Sequence, residues 1–202
     1  KLPDGRLDDI RFLGFRGEAL PSIGAVSQLR ITSVRADDPH AWQIEVNAGT
    51  LTPPQPAALA TGTQVIVRQL FKAVPARLKF LKTERTEQGQ CLNVIKRLAM
   101  AWPHVAFHLT ADQRVLLDLP AALPDAAGQQ RRIGSIMGRG FADEAIMLDA
   151  MREQIHLTGF AGLPTMNRPT TAHMFLFVNG RPIHDRSLLG AIRAGYGDTL
   201  PR

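Results

Sequence analysis

Residues 14–20 read Gly-Phe-Arg-Gly-Glu-Ala-Leu, a glycine-flanked turn running into a small-residue segment with helical character. Glycine admits backbone angles and close approaches that a Cβ would block. A helix start leaves backbone N–H groups without intrahelical partners, and those donors favour anions. The segment therefore has the parts of a phosphate cradle, although its spacing alone fits an ordinary glycine-containing loop before a helix better. A second set is Gly62-Thr63 at the head of a strand-like run, followed by Pro75-Ala-Arg-Leu-Lys-Phe-Leu81. The Thr63 hydroxyl at a strand opening could meet a ligand while Gly62 gives clearance; Thr is also a good strand former in its own right. Arg77, Lys79 and Lys82 form a basic group on what reads as a surface loop, suited to phosphates or to plain solvation. A third set, Phe175–Arg186, sends an apolar strand into Asn179-Gly180 and then Arg181, His184 and Arg186. These groups could grip phosphate through charge-assisted bonds, or Asp185 could pair with an arginine and cap the next helix.

Periodicity supplies the elements that must hold these residues. Glu18–Val26 reads as a helix. Gln28–Arg35 alternates as a strand, with Leu29, Ile31 and Ser33 on one face and Arg30, Thr32 and Val34 on the other. Trp42–Val46 is a second strand. Thr50–Ala60, with three prolines, is a loop or edge segment, and Gly62–Leu70 a buried strand. Phe71–Leu81 reads as a loop around Pro75, and Glu84–Ala101 as a long helix with Leu92, Ile95, Leu98 and Ala99 on one face. A hairpin over 105–119 precedes the aperiodic stretch Pro120–Gly128, where a domain boundary is expected. Beyond it come a helix over Gln129–Met137, strands over Glu144–Ala150, His156–Ala161 and Met174–Val178, a tight Asn179-Gly180 turn, a returning edge Arg181–Ile183 and a helix over Arg186–Tyr196.

The chain of 202 residues is 45% hydrophobic with a net charge of +6, a folded rather than a disordered composition. Nineteen of its basic residues are Arg and five are Lys, which suits forked phosphate contacts and would also follow from a compositional bias of the genome. The one cysteine, Cys91, permits no intrachain disulfide and is expected to be a small buried residue. No Cys/His cluster has metal-site spacing, so no metal ligands are assigned. No apolar run approaches the about 18–20 residues of a membrane helix, and a cytoplasmic location is expected. The first residue is Lys1 and a helical run leads towards Arg202, so the chain is expected to be a fragment.

Three motifs in this order, Gly-Phe-Arg-Gly-Glu-Ala-Leu, Gly-Thr-x-Val-x-Val-x-x-Leu-Phe-x-x-x-Pro-Ala-Arg-x-Lys-Phe-Leu and Phe-Val-Asn-Gly-Arg, closely resemble the N-terminal ATPase region of MutL-type DNA mismatch-repair proteins. The resemblance runs from Lys1 to about Arg202. It implies an α+β fold: residues 1–120 as the latter part of a GHKL (Bergerat) ATP-binding sandwich with a mixed sheet, 121–128 as a linker, and 129–202 as a truncated transducer domain with the βαβ crossover of a ribosomal protein. It assigns Gly14, Phe15, Arg16, Gly17, Glu18, Ala19 and Leu20 to a lid whose amides hold the ATP phosphates, and Gly62 and Thr63 to the nucleotide, Thr63 near the base.

The same resemblance implies that the general base and the asparagine that helps hold Mg2+ precede Lys1, so no catalytic residue is assigned here. These 202 residues alone are expected to hydrolyse no ATP, while the intact protein is a slow ATPase. Closure around ATP would drive homodimerisation into a DNA clamp between a mismatch-recognition protein and a downstream repair nuclease or helicase, in the bacterial cytoplasm and on the nucleoid when bound to DNA. Arg77, Lys79, Arg181 and Arg186 are candidates for a non-specific DNA path, by motif position and by charge. The competing expectation is a nucleic-acid-binding or protein-interaction module with no nucleotide chemistry.

Overall fold

In the computed structural model, residues 17–166, 168 and 171–199 are described. The expectations for residues 1–16, including Gly14, Phe15 and Arg16, and for part of the 167–171 loop lie outside them. The chain's contacts divide it into two compact units, 1–83 and 84–202.

The first unit is a twisted sheet with one helix on it. α1 (Ala19–Ala25) leads into β1 (Gln28–Val34), β2 (Ala41–Asn47), β3 (Thr50–Leu51), β4 (Gln55–Ala57) and β5 (Gly62–Arg68), and a short helix α2 (Pro75–Leu78) follows. The strand order is β3-β2-β1-β5, with β4 also paired to β2. The proline-rich segment thus gives two short edge strands, Pro56 standing opposite Trp42. Residues directly opposite one another in an antiparallel pair share a face, as do alternate residues along a strand. Leu29 stands opposite Val46 and Val67, Ile31 opposite Ile44 and Val65, and Ser33 opposite Trp42 and Thr63. One face is therefore apolar except for its last row. The other carries Gln28, Arg30 and Thr32 beside Asn47, Glu45 and Gln43, and there Arg30 Nε meets Glu45 Oε1 at 2.5 Å.

α1 lies on the apolar face. A Cβ at Gly24 would stand 2.9 Å from Val46 Cγ1, so the absence of a side chain lets the helix approach the sheet. Leu29, 3% exposed, is buried beneath it. β5 departs from the buried strand expected. It ends the sheet, and its Val65 and Val67 are exposed because no described element covers that part of the face. The basic loop around Pro75 contains a helical turn, α2, with Pro75 at its start, where a missing N–H costs nothing.

The second unit is built on α3 (Glu84–Ala101) and the hairpin β6 (Phe107–Ala111) and β7 (Arg114–Leu119). Ala99, Leu117 and Leu119 form its core, with Leu92, Ile95, Phe107, Leu109 and Ile136 packed around them. Cys91 is exposed, contrary to expectation: it falls at the margin of the helical stripe set by Leu92, Ile95 and Ala99. α4 (Ala126–Met137) and α5 (Arg139–Glu144) follow, then the ribbon β8 (Ile146–Arg152) and β9 (Ile155–Ala161), the hairpin β10 (Leu176–Val178) and β11 (Arg181–Ile183), and α6 (Arg186–Tyr196). Asp125 caps α4 by accepting from Gly128 N–H at 2.6 Å.

Every pairing among the described strands is antiparallel, and the α+β class expected of the chain holds. Tight turns account for the hairpins: Asp112-Gln113 and Asn179-Gly180 both take positive φ, which turns a strand directly back on its neighbour. A parallel pair would need a crossover of a dozen or more residues.

The expected linker 121–128 lies inside this second unit. Arg132 on α4 holds the two sides together: the two N–H bonds of its Nη2 serve three carbonyls, those of Pro103 at 2.8 Å, Val105 at 2.9 Å and Pro120 at 2.7 Å, one proton being shared between two of them. Arg132 is 3% exposed and no carboxylate among the described residues pairs with it; burial pulls its pKa down from the ordinary arginine value. A buried carbonyl stripped of its donor costs about 1–3 kcal/mol. Arg132→Met should therefore destabilise the second unit by roughly 3 kcal/mol, read as a lower midpoint in urea unfolding. A midpoint within error of wild type would show that the clasp contributes nothing.

Candidate nucleotide site

The site is built on the apolar face of the first unit. Gly17 precedes α1 with φ +68°, a left-handed conformation that favours glycine, and a Cβ there would meet no atom within 4 Å. Glu18 is the cap residue of α1, and its side chain makes no capping hydrogen bond. Pro21 falls in the first turn, where it has no N–H to lose. The first backbone bond at this end runs from Ser22 N–H to Glu18 C=O at 3.0 Å, so the amides of Glu18, Ala19 and Leu20 precede the ladder. Leu20 is an exposed large apolar residue at this end.

At the head of β5, Gly62 takes φ +104°. Thr63 stands opposite Ser33, and their hydroxyl oxygens are 2.7 Å apart. Ser33 Oγ also lies 3.4 Å from the Gly62 carbonyl oxygen, to which it can only donate. Trp42, across β1 in the same row, is 54% exposed. The structure thus gives Thr63 and α1 the same face of one sheet, α1 over the Leu29–Val46 end and the hydroxyl pair on the row that closes the other.

Ser33 and Trp42 were not singled out in the sequence. The signal for Ser33 was there: it shares the alternation of Leu29 and Ile31, so a serine falls in an otherwise apolar face. Trp42 needed the register with β1, which alternation alone does not supply.

The basic candidates divide between the units. Arg77 on α2 is exposed and sets its guanidinium 4.8 Å from the centre of the Phe71 ring. Lys79 caps the end of α2 and is exposed, as is Phe80. In the second unit Arg181 is half-buried on β11 and engaged in an interaction of its own, whereas Arg186 is exposed at the first position of α6. Asp185 caps that helix, accepting from Leu188 N–H at 2.9 Å, as the alternative reading of this segment expected. His184 is exposed beside it. Among the described residues no group of three or more His, Cys, Asp or Glu side chains could hold a metal ion, and no helix is long and apolar enough to cross a membrane.

Comparison with known proteins gives the same answer from three directions. A family model described as the C-terminal domain of DNA mismatch repair protein matches residues 133–202. The DNA mismatch repair protein MutL of Rhodopseudomonas palustris strain TIE-1 is 52% identical over all 202 residues, which cover 34% of that relative. The MutL of Bradyrhizobium sp. strain BTAi1 is 50% identical over the same span, 33% of its length. The chain thus spans about a third of the length of the curated relatives it matches. Among solved structures, the Aquifex aeolicus MutL ATPase domain complexed with ADP superposes with a TM-score of 0.72 and 31% identity, over 88% of this chain and 67% of that one. A second structure of the A. aeolicus MutL ATPase domain gives a TM-score of 0.67 at 27% identity, over 93% of this chain and 71% of that one. With the fold shared across two thirds of a MutL ATPase domain and half of all residues identical to curated MutL sequences, this chain belongs to the MutL family of DNA mismatch-repair proteins.

Proposed function

We propose that this chain supplies part of the nucleotide site of a mismatch-repair ATPase, with α1 and the glycine turn before it meeting the phosphates of ATP and Thr63 lying towards the base. The observation that carries this reading is the shared sheet face: a helix start without a side-chain cap and a hydroxyl pair occupy one surface. Helix N-termini favour anions through their unpaired amides and the helix dipole. The ADP bound in the A. aeolicus MutL ATPase domain supports the same ligand class. Gly14, Phe15 and Arg16 belong to the same motif, and their role rests on the family resemblance. Gly62 contributes by turning the chain into β5 at a backbone angle that other residues rarely adopt.

The described carboxylates form no cluster that fits Mg2+; its ligands are assigned, by resemblance, to a segment preceding Lys1. When bound, the metal would neutralise phosphate charge. The general base is assigned to the same preceding segment, and such a group contributes about 10²–10⁴-fold in rate. We therefore assign hydrolysis to the longer protein and only binding surface to these residues. Residues 129–202 are proposed as the transducer portion, a reading that the family-model match over 133–202 favours.

In the full-length protein, nucleotide-driven ordering around residues 14–20 would be coupled to homodimerisation and to a clamp on DNA, in the cytoplasm, between a mismatch-recognition protein and a downstream nuclease or helicase. Order–disorder coupling of this kind is a known route from nucleotide to conformation. Arg77, Lys79, Arg181 and Arg186 are proposed as its DNA contacts. Arg186 has the strongest physical case. A cation at a helix N-terminus is disfavoured by about 0.3–1 kcal/mol, a penalty that a phosphate seated there would offset.

Two measurements test these assignments on the full-length protein. Gly17→Pro cannot reach φ +68° and should weaken ATP binding by about tenfold or more in calorimetry, at an unchanged melting temperature. Wild-type affinity in this variant would remove α1 from the phosphate site. Arg186→Glu should weaken DNA binding on every sequence alike and lower the slope of log K against log salt by about 1. An unaltered slope would exclude Arg186 from the DNA path.

A further inference from the structure

The carboxyl end of α1 is tied by three backbone hydrogen bonds from two turns. Gly49 N–H donates to Gly24 C=O at 3.0 Å, Ala48 N–H to Ser27 C=O at 3.0 Å and Phe71 N–H to Val26 C=O at 2.7 Å. All three donors sit in left-handed backbone, at φ 88°, 46° and 64° respectively. At the other end, residues 17–22 are exposed, and among the described residues none of them bonds to the backbone of another element. The helix is therefore aimed from its carboxyl end. Glycine enters the left-handed region freely, whereas a bulky residue there is an outlier that its surroundings must hold. Arg77 supplies that hold for Phe71, setting its guanidinium 4.8 Å from the centre of the half-buried ring. The spacing in the second motif makes this contact. Val74 N–H donates to Phe71 C=O at 2.9 Å and Arg77 N–H to Val74 C=O at 2.8 Å, so the turn that Pro75 opens brings Arg77 back over the ring.

We infer that Phe71 is a positioning residue for the nucleotide site: its left-handed backbone aims α1 through Val26, and the Arg77 guanidinium keeps that backbone in place by holding the ring. The inference rests on the nucleotide reading above, which sets residues 17–20 against ATP. Neither Phe71 nor Arg77 has to touch the nucleotide. Without the hold on its ring, Phe71 relaxes to negative φ, its N–H turns away from Val26 C=O, and α1 loses one of its three ties. A helix of seven residues tied at one end carries a change of direction to its other end, about 10 Å away at the usual rise per residue. Small displacements of groups that position a ligand are costly. Arg77 thereby has a task separate from any contact with DNA.

The test uses the full-length protein without DNA and two readouts: calorimetry with the non-hydrolysable analogue AMPPNP, and amide hydrogen exchange over residues 18–26 in the absence of nucleotide. Phe71→Leu keeps an apolar side chain but has no π face for Arg77 to hold. Its affinity should fall by about tenfold, and exchange over residues 18–26 should rise. Phe71→Gly loses the ring altogether but enters left-handed backbone freely, so both readouts should stay within about twofold of wild type. Arg77→Gln should weaken binding as Phe71→Leu does, and in the Phe71→Gly background should add nothing. Arg77 is exposed, so this variant tests the link even should Phe71→Leu fail to fold. Equal losses in Phe71→Leu and Phe71→Gly would make the ring a packing group and overturn the inference, as would wild-type affinity in Arg77→Gln. Exchange that responds as stated while affinity stays at wild type in every variant would keep the tie between Phe71 and α1 and overturn the placement of α1 at the nucleotide. A wild-type protein that binds no AMPPNP would overturn the nucleotide reading itself.

Discussion

The register of β1 is the constraint on which the candidate site depends. β1 is paired along its length on both sides, with β2 and with β5, and all three are seven residues long. Because side chains alternate, a slip of one residue would carry Leu29 and Ile31 to the polar face and Arg30 and Thr32 to the side where α1 packs. The cost of burying Arg30 away from Glu45 and exposing the leucine under Gly24 opposes such a slip. The same register sets Ser33 against Thr63. Packing at one end of the strand therefore fixes hydroxyl chemistry at the other.

The two faces of this sheet do different work. The polar face is tied across β1 and β2 by Arg30 to Glu45, and along β2 Gln43 Nε2 donates to Glu45 Oε1 at 3.2 Å, interactions of small individual worth. The apolar face supplies burial where α1 covers it and remains open where Trp42, Val65 and Val67 lie. The second unit follows another logic. A small apolar core around Ala99 is joined by polar ties: Arg132 to three carbonyls, Gln130 Nε2 to Ala142 O at 2.8 Å, and Tyr196 Oη to Gly162 O at 2.7 Å.

Much of this was legible in the sequence where one face of an element is dry and the other wet. The alternation in 28–35 put Leu29 and Ile31 on the face that α1 covers, and α3 and α6 took the bounds that their periodicity and the following Pro103 or preceding Asp185 suggested. The misses share a physical cause. Strand pattern records which residues are apolar, not whether another layer arrives to cover them, so β5 read as buried. Cys91 read as core because a thiol is small and apolar, although the helical angle puts it at the edge of the stripe. The stretch 120–128 lacks periodicity and so read as a linker. Its tie to Arg132 runs through backbone carbonyls, which leave no trace in side-chain pattern. Within the candidate site, the glycines and Thr63 stood out by motif, whereas Ser33 became notable only once pairing set its oxygen beside that of Thr63.

The outer side of β5 has a further consequence. Among the described residues no strand pairs with it, and its seven residues include no proline and a single charge, Arg68. Natural sheets guard such margins with lysines, prolines or bulges. An unguarded margin beside exposed valines is a template for another chain.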